Sequence, residues 1–206
     1  STLAKPPRAQ GIKRLGKRFH TDDIHPAYLP DGDIVFSSTR CEHTVLCGGS
    51  AALVSPVMHR MEADGSNIKQ ISYGLLNEFT PLVLDDGRIL YHRWEYIDKG
   101  ARVGKTFWTM NPDGSNIQEV YGLSDDTATA YMYPRPIPGT NKLVCSGSPH
   151  YPQGGCVGAI YIINPDKGSR VAGPDPDEKE FVKLNDKYAR INITPWVFVD
   201  KREQFG

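Results

Sequence analysis

Two hairpin patterns that alternate along the chain predict an all-β fold made of four-stranded antiparallel units. The first pattern opens with proline and turns at Asp-Gly or Pro-Gly, and the second turns at Asp-Gly-Ser-Asn or a weaker variant of it. Asp-Gly supplies the positive-φ position of a tight turn between two alternating strands. Copies of the first pattern fill residues 26–36, 81–91 and 134–145, and copies of the second fill residues 58–71, 107–120 and 161–168.

The spacing of these hairpins indicates how the units are arranged. The leading prolines Pro26, Pro81 and Pro134 are 55 and 53 residues apart, so each period holds two hairpins, or four short strands. Periods of roughly 40–50 residues with four strands are typical of propeller blades. We therefore predict a β-propeller of four-stranded blades, with about three blades plus flanking strands. The competing interpretation is a meandering β-sandwich whose Asp-Gly turns recur by chance.

In chain order, residues 1–10 are expected to form a surface segment and residues 11–206 a partial propeller. Gly11–Phe19 has the pattern of a strand that closes a preceding blade, and residues 190–199 that of a strand that opens a further one. Because a propeller needs about 4–8 blades to close, three blades predict a portion of a longer propeller or completion by other chains. The predicted blades cover residues 24–72, 78–121 and 131–184, with residues 180–184 as the outer strand of the third.

Composition excludes some classes of partner. Lys plus Arg and Asp plus Glu both number 24 in the 206 residues, so the net charge is zero. A protein that neutralises nucleic-acid phosphates carries a basic excess, so no nucleic-acid partner is expected. No run approaches the roughly 20 apolar residues of a membrane span.

One loop contains three side chains of the kinds that bind metal ions. Cys41, His43 and Cys47 follow the second predicted strand, and sulfur with imidazole suits zinc. The loop offers at most three such ligands, where a structural zinc site takes four. A zinc site, a Cys41–Cys47 disulfide and free thiols therefore all remain open, and these three residues are the candidate metal ligands.

Two further stretches have a functional and a structural interpretation. His92–Glu95 stands where a second strand ends, and Trp94 and Tyr96 could form an aromatic contact surface. The structural alternative is packing between blades with an Arg93–Glu95 ion pair. Cys145 takes the strand position of aromatic residues in the other two copies and is expected to be a buried structural thiol.

The hairpin pair, Pro-x-x-x-x-Asp-Gly-x-Ile-x-Phe followed by Met-x-x-Asp-Gly-Ser-Asn-Ile, resembles the TolB-type repeat of bacterial β-propellers over about residues 11–200. More specific strings at residues 37–49, 89–98 and 135–144 resemble the propeller region of the hydrazine synthase alpha subunit and its planctomycete relatives. In that family the propeller precedes domains that carry c-type haem. The enzyme makes hydrazine from nitric oxide and ammonium inside the anammoxosome.

The resemblance implies a propeller portion of a multi-haem oxidoreductase subunit, serving as scaffold and docking surface. Its partners would be the rest of the propeller, the haem domains and other subunits, in an extracytoplasmic compartment, the anammoxosome lumen. The segment itself shows no Ser-His-Asp order, phosphate loop or carboxylate pair and is not expected to be catalytic. It also lacks Cys-x-x-Cys-His, so it is not expected to attach haem. The alternative is a non-enzymatic TolB-like binding module.

Overall fold

The computed structural model describes residues 21–43, 54–95, 105–122, 130–148, 159–167 and 190–192. They form twelve strands and two short 3-10 helices, Thr39–Cys41 and Pro165–Lys167. Blade one consists of β1 Asp23–Tyr28, β2 Ile34–Ser38, β3 Val57–Met61 and β4 Lys69–Gln70. Blade two consists of β5 Glu78–Val83, β6 Ile89–Trp94, β7 Lys105–Met110 and β8 Gln118–Tyr121. Blade three consists of β9 Ala130–Pro136, β10 Leu143–Ser148, β11 Ala159–Ile163 and β12 Arg190–Asn192.

Each blade is an antiparallel meander in which every strand pairs with the next one along the chain. Blades two and three are also joined by one parallel backbone pair between Lys105 and Ala130. The predicted fold class, an all-β partial propeller of four-stranded blades, is confirmed. Among the described residues, no helix is long and apolar enough to span a membrane.

The last described strand corrects one prediction. Arg190–Asn192 pairs antiparallel with β11 and is therefore the fourth strand of blade three, where the sequence predicted the start of a further blade. The prediction failed because residues 180–184 offered an earlier apolar run for the fourth strand. That run lies outside the described residues, as do the predicted surface segment 1–10 and the predicted strand Gly11–Phe19.

The hairpin turns have the conformation that the Asp-Gly pairs predict. The four turn glycines lie in the left-handed region, which an L side chain enters only with strain. Gly114 is the most constrained, because a β-carbon at this position would overlap the Ile71 carbonyl of blade one. The φ angles are +92° at Gly32, +85° at Gly65, +86° at Gly87 and +86° at Gly114.

The first strand of each blade, β1, β5 and β9, carries a bulge that the sequence did not predict. The residue before the leading proline has a positive φ in all three blades: 55° at His25, 52° at Thr80 and 54° at Tyr133. The strand register shifts at each of these places. A residue before proline normally stays extended, so a left-handed conformation repeated three times marks local strain held by the surrounding sheet.

The apolar core is divided between the two blade interfaces. The first cluster lies between blades one and two, and the second between blades two and three. Strand β6 serves both, because its successive side chains face opposite sides of the sheet: Ile89 and Tyr91 enter the first cluster and Leu90 the second. Blade two therefore contributes one face of its sheet to each of the two apolar clusters.

Aromatic rings connect blades two and three. The Tyr131 ring of blade three lies 5.4 Å from the Tyr121 ring of blade two and 5.8 Å from the Tyr161 ring, both edge-on. Edge-to-face pairs at this distance add to the burial energy of the rings. Cys145 belongs to the same cluster and is buried, as predicted.

Candidate functional site

The loop after β2 brings two of the three predicted metal ligands to the same backbone residue. The Cys41 thiol, half-buried, donates a hydrogen bond to the Ser55 carbonyl at 3.1 Å, and the Ser55 amide donates to the His43 carbonyl at 2.7 Å. Ser55 therefore ties both ends of the loop together. Cys47 lies outside the described residues, and the part of the chain that the structure describes holds no group of three or more His, Cys, Asp or Glu side chains suited to a metal.

A zinc ion would require a change in this arrangement. Zinc binds the thiolate, whereas the Cys41 sulfur now shares its proton with the Ser55 carbonyl. Binding would therefore break that hydrogen bond. The zinc site at Cys41, His43 and Cys47 stays a prediction.

The first residue of β1 anchors the same loop. Asp23 accepts hydrogen bonds from Arg40 Nε at 3.0 Å, Arg40 Nη2 at 2.7 Å and Ser38 Oγ at 2.7 Å. Burial favours a higher pKa for Asp23, but the Arg40 and Ser38 hydrogen bonds and the Arg40 charge outweigh it and lower that pKa. The side chains of Asp23 and Arg40 are 18% and 13% exposed, so this two-pronged pair is largely shielded from solvent.

The structure defines the contacts of Arg93 in the His92–Glu95 stretch. The Arg93 guanidinium pairs with Glu95 and lies 5.0 Å from the centre of the Trp108 ring, in cation–π geometry. The predicted Arg93–Glu95 ion pair is thus confirmed. These contacts of Arg93 lie within blade two, so the packing between blades stays a prediction. His92 is buried and stacks on Phe79, 6.1 Å between ring centres. Tyr96, the other half of the proposed aromatic surface, lies outside the described residues.

Glu78 of blade two forms a polar latch onto blade one. Its carboxylate accepts a hydrogen bond from Ser72 Oγ and another from the Met58 amide at 3.4 Å, and its own amide donates to the Pro56 carbonyl at 2.8 Å. Arg93 Nη1 lies 3.7 Å from the second carboxylate oxygen. Glu78 is fully buried, and this burial raises its pKa. Sequence reasoning missed the latch, although Asp23 and Glu78 stand at the same place, three residues before the leading proline.

Among the described residues, the clefts that open between the blades include two at the end that bears the Asp-Gly turns. Cleft one, about 350 Å³, lies between blades one and two, and cleft two, about 540 Å³, lies between blades two and three. Cleft one is lined by Asp33, Arg60, Met61, Glu62, Asn67, Lys69, Gln70, Ile71, Pro112 and Asp113. Cleft two has an apolar floor of Leu84, Leu90, Val120 and Leu143. Its charged lining consists of Asp85, Asp86, Arg88, Glu119, Lys142 and Asp166.

Arg60 lines cleft one and connects its two walls. Its Nε donates to Asp33 at 2.8 Å, its Nη2 pairs with Asp31, and its Nη1 donates to the Pro112 carbonyl of blade two at 3.3 Å. One guanidinium thus neutralises two turn carboxylates and bridges to the next blade. Like Glu78, Arg60 joins the blades through contacts between residues distant in sequence.

Comparison with known proteins supports the fold. Neither a known protein family nor a curated protein matches the sequence. The structure is similar to that of hydrazine synthase from Kuenenia stuttgartiensis, with a TM-score of 0.54 and 18% sequence identity. The match covers 79% of this chain and 25% of the hydrazine synthase chain, so this chain spans about a quarter of its length.

Proposed function

We propose that this chain is a propeller portion of an oxidoreductase subunit resembling hydrazine synthase alpha, where it serves as scaffold and docking surface. The likeness in fold to hydrazine synthase supports this proposal, as do the sequence strings that resemble the same family. Haem c would be carried by other parts of the parent protein. The cysteine pairs of this chain, Cys-x5-Cys and Cys-x10-Cys, do not fit covalent haem attachment. An extracytoplasmic location, the anammoxosome lumen, belongs to the same proposal.

The observation that carries the docking role is the far face of blade three. In β11 the side chains of Ala159, Tyr161 and Ile163 are buried toward blade two, so Ile160 and Ile162 point the other way. Ile160 is 44% exposed. Val144 of β10 stands directly beside Ile162 in the sheet register. A strand that is apolar on both sides is typical of a sheet covered on both faces, and we propose that a further blade or subunit covers this one.

This docking role is tested by association of the 206-residue chain. The pair of changes Ile160→Ser and Val144→Thr removes apolar surface from the far face of blade three, and we expect it to reduce self-association. Ile117→Ser is the matched control, because Ile117 is similarly exposed (39%) but lies in the β7–β8 hairpin of blade two. Sedimentation velocity provides the measurement. A wild-type chain that stays monomeric at all concentrations, or an equal effect of the control, would contradict the docking role.

The oxidoreductase assignment needs a separate measurement. The natural protein, isolated from its source, should have an intact mass well above the 22.9 kDa of this chain and the absorption spectrum of c-type haem. A natural protein without haem would favour the alternative, a TolB-like binding module with no enzyme attached.

A further inference from the structure

The Asp-Gly pairs that form the hairpin turns also have a chemical reactivity of their own. The glycine nitrogen, which no side chain shields, can attack the protonated carboxyl of the aspartate. An N–Cγ bond forms, and the carboxyl hydroxyl leaves as water together with the amide proton. Water then opens the resulting succinimide at its main-chain carbonyl and breaks the original peptide bond, which leaves the chain joined through the side chain as isoaspartate. The four pairs are Asp31-Gly32, Asp64-Gly65, Asp86-Gly87 and Asp113-Gly114.

The folded turns engage both reacting groups. In each turn the glycine amide donates to the carbonyl three residues earlier, and the aspartate accepts a hydrogen bond from the amide two residues ahead. At Asp64 the Gly65 amide donates to the Glu62 carbonyl at 2.9 Å, and the Ser66 amide donates to Asp64 Oδ1 at 2.8 Å. The bonds from Ser66 also lower the pKa of Asp64, which reduces its protonated, reactive form. Reaction therefore requires an opened turn, and its rate follows the open population.

Three of the four turns have an additional contact that opposes opening. Arginine side chains pair with the second carboxylate oxygen of Asp31 and of Asp86. Gly114 lies against the Ile71 carbonyl of blade one, so the turn that contains Asp113 cannot move without disturbing the interface between the two blades. These contacts are absent from the sequence pattern, which is nearly the same in all four turns.

The turn of Asp64 is held by bonds within the turn. Among the described residues, Asp64 bonds only to Ser66, and Ser66 Oγ and Asn67 Nδ2 donate to the Glu62 carboxylate. The strand that follows, β4, has two residues, Lys69–Gln70, and is the shortest among the described strands. Opening of the β3–β4 hairpin therefore breaks few bonds to the rest of the protein, and local opening is easiest where such bonds are few.

We propose that Asp64 is a modification site, the Asp-Gly pair of this chain at which isoaspartate forms fastest, selected by local opening of the β3–β4 hairpin. One water leaves and one water is added, so mass and oxidation state do not change and the only co-reactant is solvent. The new linkage inserts a methylene into the backbone of the turn and removes the side-chain acceptor that the Ser66 amide uses. This inference goes beyond the proposed docking function and does not depend on it.

The rate of isomerisation is compared between the native and the unfolded chain. One sample of the full chain is kept for several weeks at neutral pH and physiological temperature, and a second sample is kept in the same buffer with guanidinium chloride, where every turn is open. Peptide mapping with electron-transfer fragmentation distinguishes isoaspartate from aspartate at equal mass and gives the rate at each pair. The native rate divided by the unfolded rate removes the influence of neighbouring residues.

We expect this ratio of rates to be at least about tenfold larger at Asp64 than at Asp113, which corresponds to about 1.4 kcal/mol in the free energy of opening. A ratio at Asp64 no larger than that at Asp113, or a larger ratio at either of the other two pairs, would overturn the proposal. Amide hydrogen exchange measures the opening itself. The Gly65 amide should be less protected than the Gly114 amide by a similar factor, and equal protection would contradict the proposal.

Three variants test whether the turn selects the site. Asp64→Glu should abolish isomerisation at this pair, because the longer side chain closes the ring far more slowly. Ser66→Ala removes bonds within the turn and should raise the ratio at Asp64 severalfold. Ser115→Ala removes the corresponding hydroxyl in blade two and should raise the ratio at Asp113 less, because Gly114 stays packed against blade one. Thermal melts establish that each variant folds. A folded Ser66→Ala variant with the wild-type ratio would show that opening of this turn does not control the reaction.

Discussion

Gly114, in the turn between β7 and β8, lies directly against the carbonyl oxygen of Ile71 in blade one, and a β-carbon at this glycine would overlap that oxygen. Gly32 has a similar positive φ, +92° against +86°, but open space around it. We expect Gly114→Ala to destabilise by about 2–4 kcal/mol, because backbone strain and overpacking add, and Gly32→Ala by about 1 kcal/mol from strain alone.

Urea unfolding of both glycine variants gives the comparison. Equal losses of unfolding free energy would mean that the turn of blade two does not press on blade one. A larger loss for Gly32→Ala would contradict the packing outright.

The Asp23–Arg40 pair should contribute more to stability than the Asp86–Arg88 pair. The side chains of the first pair are 18% and 13% exposed and those of the second 51% and 39%. We expect Asp23→Asn to cost about 2–3 kcal/mol of unfolding free energy, and Asp86→Asn about 0–1 kcal/mol, as is usual for surface pairs. Chemical denaturation at neutral pH measures both, and a loss for Asp86→Asn as large as that for Asp23→Asn would refute the ranking.

The pH dependence of the Asp23 contribution follows from its lowered pKa. The contribution is present above the ordinary value of 3.8 and is lost as pH falls through the lower pKa of the folded state. The stability difference between wild type and Asp23→Asn should therefore shrink below about pH 4. A difference that stays constant down to pH 2 would contradict this assignment.

Glu78 should give a pH dependence of opposite sign. Its raised pKa means that the folded state holds the proton more tightly than the unfolded state. The stabilising contribution is then complete below the ordinary value of 4.5 and is lost as pH rises through the folded pKa. Wild type should lose stability relative to Glu78→Gln over this rise.

Unfolding free energies at a series of pH values, with Glu62→Gln as an exposed control, test this behaviour of Glu78. Parallel curves for wild type and Glu78→Gln would show that burial does not hold the proton on this carboxyl. A gain of wild-type stability relative to Glu78→Gln with rising pH would reverse the sign and indicate that Arg93 dominates.

Thr80 should tolerate glycine unusually well. It is a β-branched residue with a φ of 52°, a conformation that costs about 1–3 kcal/mol, and Thr80→Gly removes that strain. Thr109, also buried and in β7, is the control, since glycine in a regular strand loses packing and about 1 kcal/mol of strand propensity. Thermal melts should show Thr80→Gly close to wild type and Thr109→Gly clearly destabilised, and an equal loss at both sites would argue against the strained bulge.

Much of the fold could be predicted because its signals are local. The Asp-Gly pairs at Gly32 and Gly114 define turns within a few residues, and the proline spacing defines the period. The bulge at Thr80 could not be predicted, since the local preference before proline is for extended backbone and the surrounding sheet overrides it. The strand Arg190–Asn192 was misplaced because its partner β11 precedes it by a long connection.

The candidate sites were predicted less well, because they depend on residues brought together by packing between blades. Arg60 and the Pro112 carbonyl are 52 residues apart in the chain, and Glu78 meets Met58 across a blade interface. Composition and motif spacing do not predict contacts between residues so far apart in the chain. The Arg93–Glu95 pair, two residues apart, could be predicted from the sequence.

Because the apolar cores lie between blades, the core of each blade can form only after the next blade has been synthesised. Hairpins form within about 1–10 μs, so the strands of blade one can pair almost as soon as they are made. Its residues Val35 and Met58, however, are covered by Ile89 and Tyr91 of the next blade. At about 5–20 residues per second, a period of 53–55 residues takes roughly 3–11 s to translate. A newly synthesised blade can therefore form its strand pairs seconds before the next blade is translated. During that time its apolar side is not yet covered.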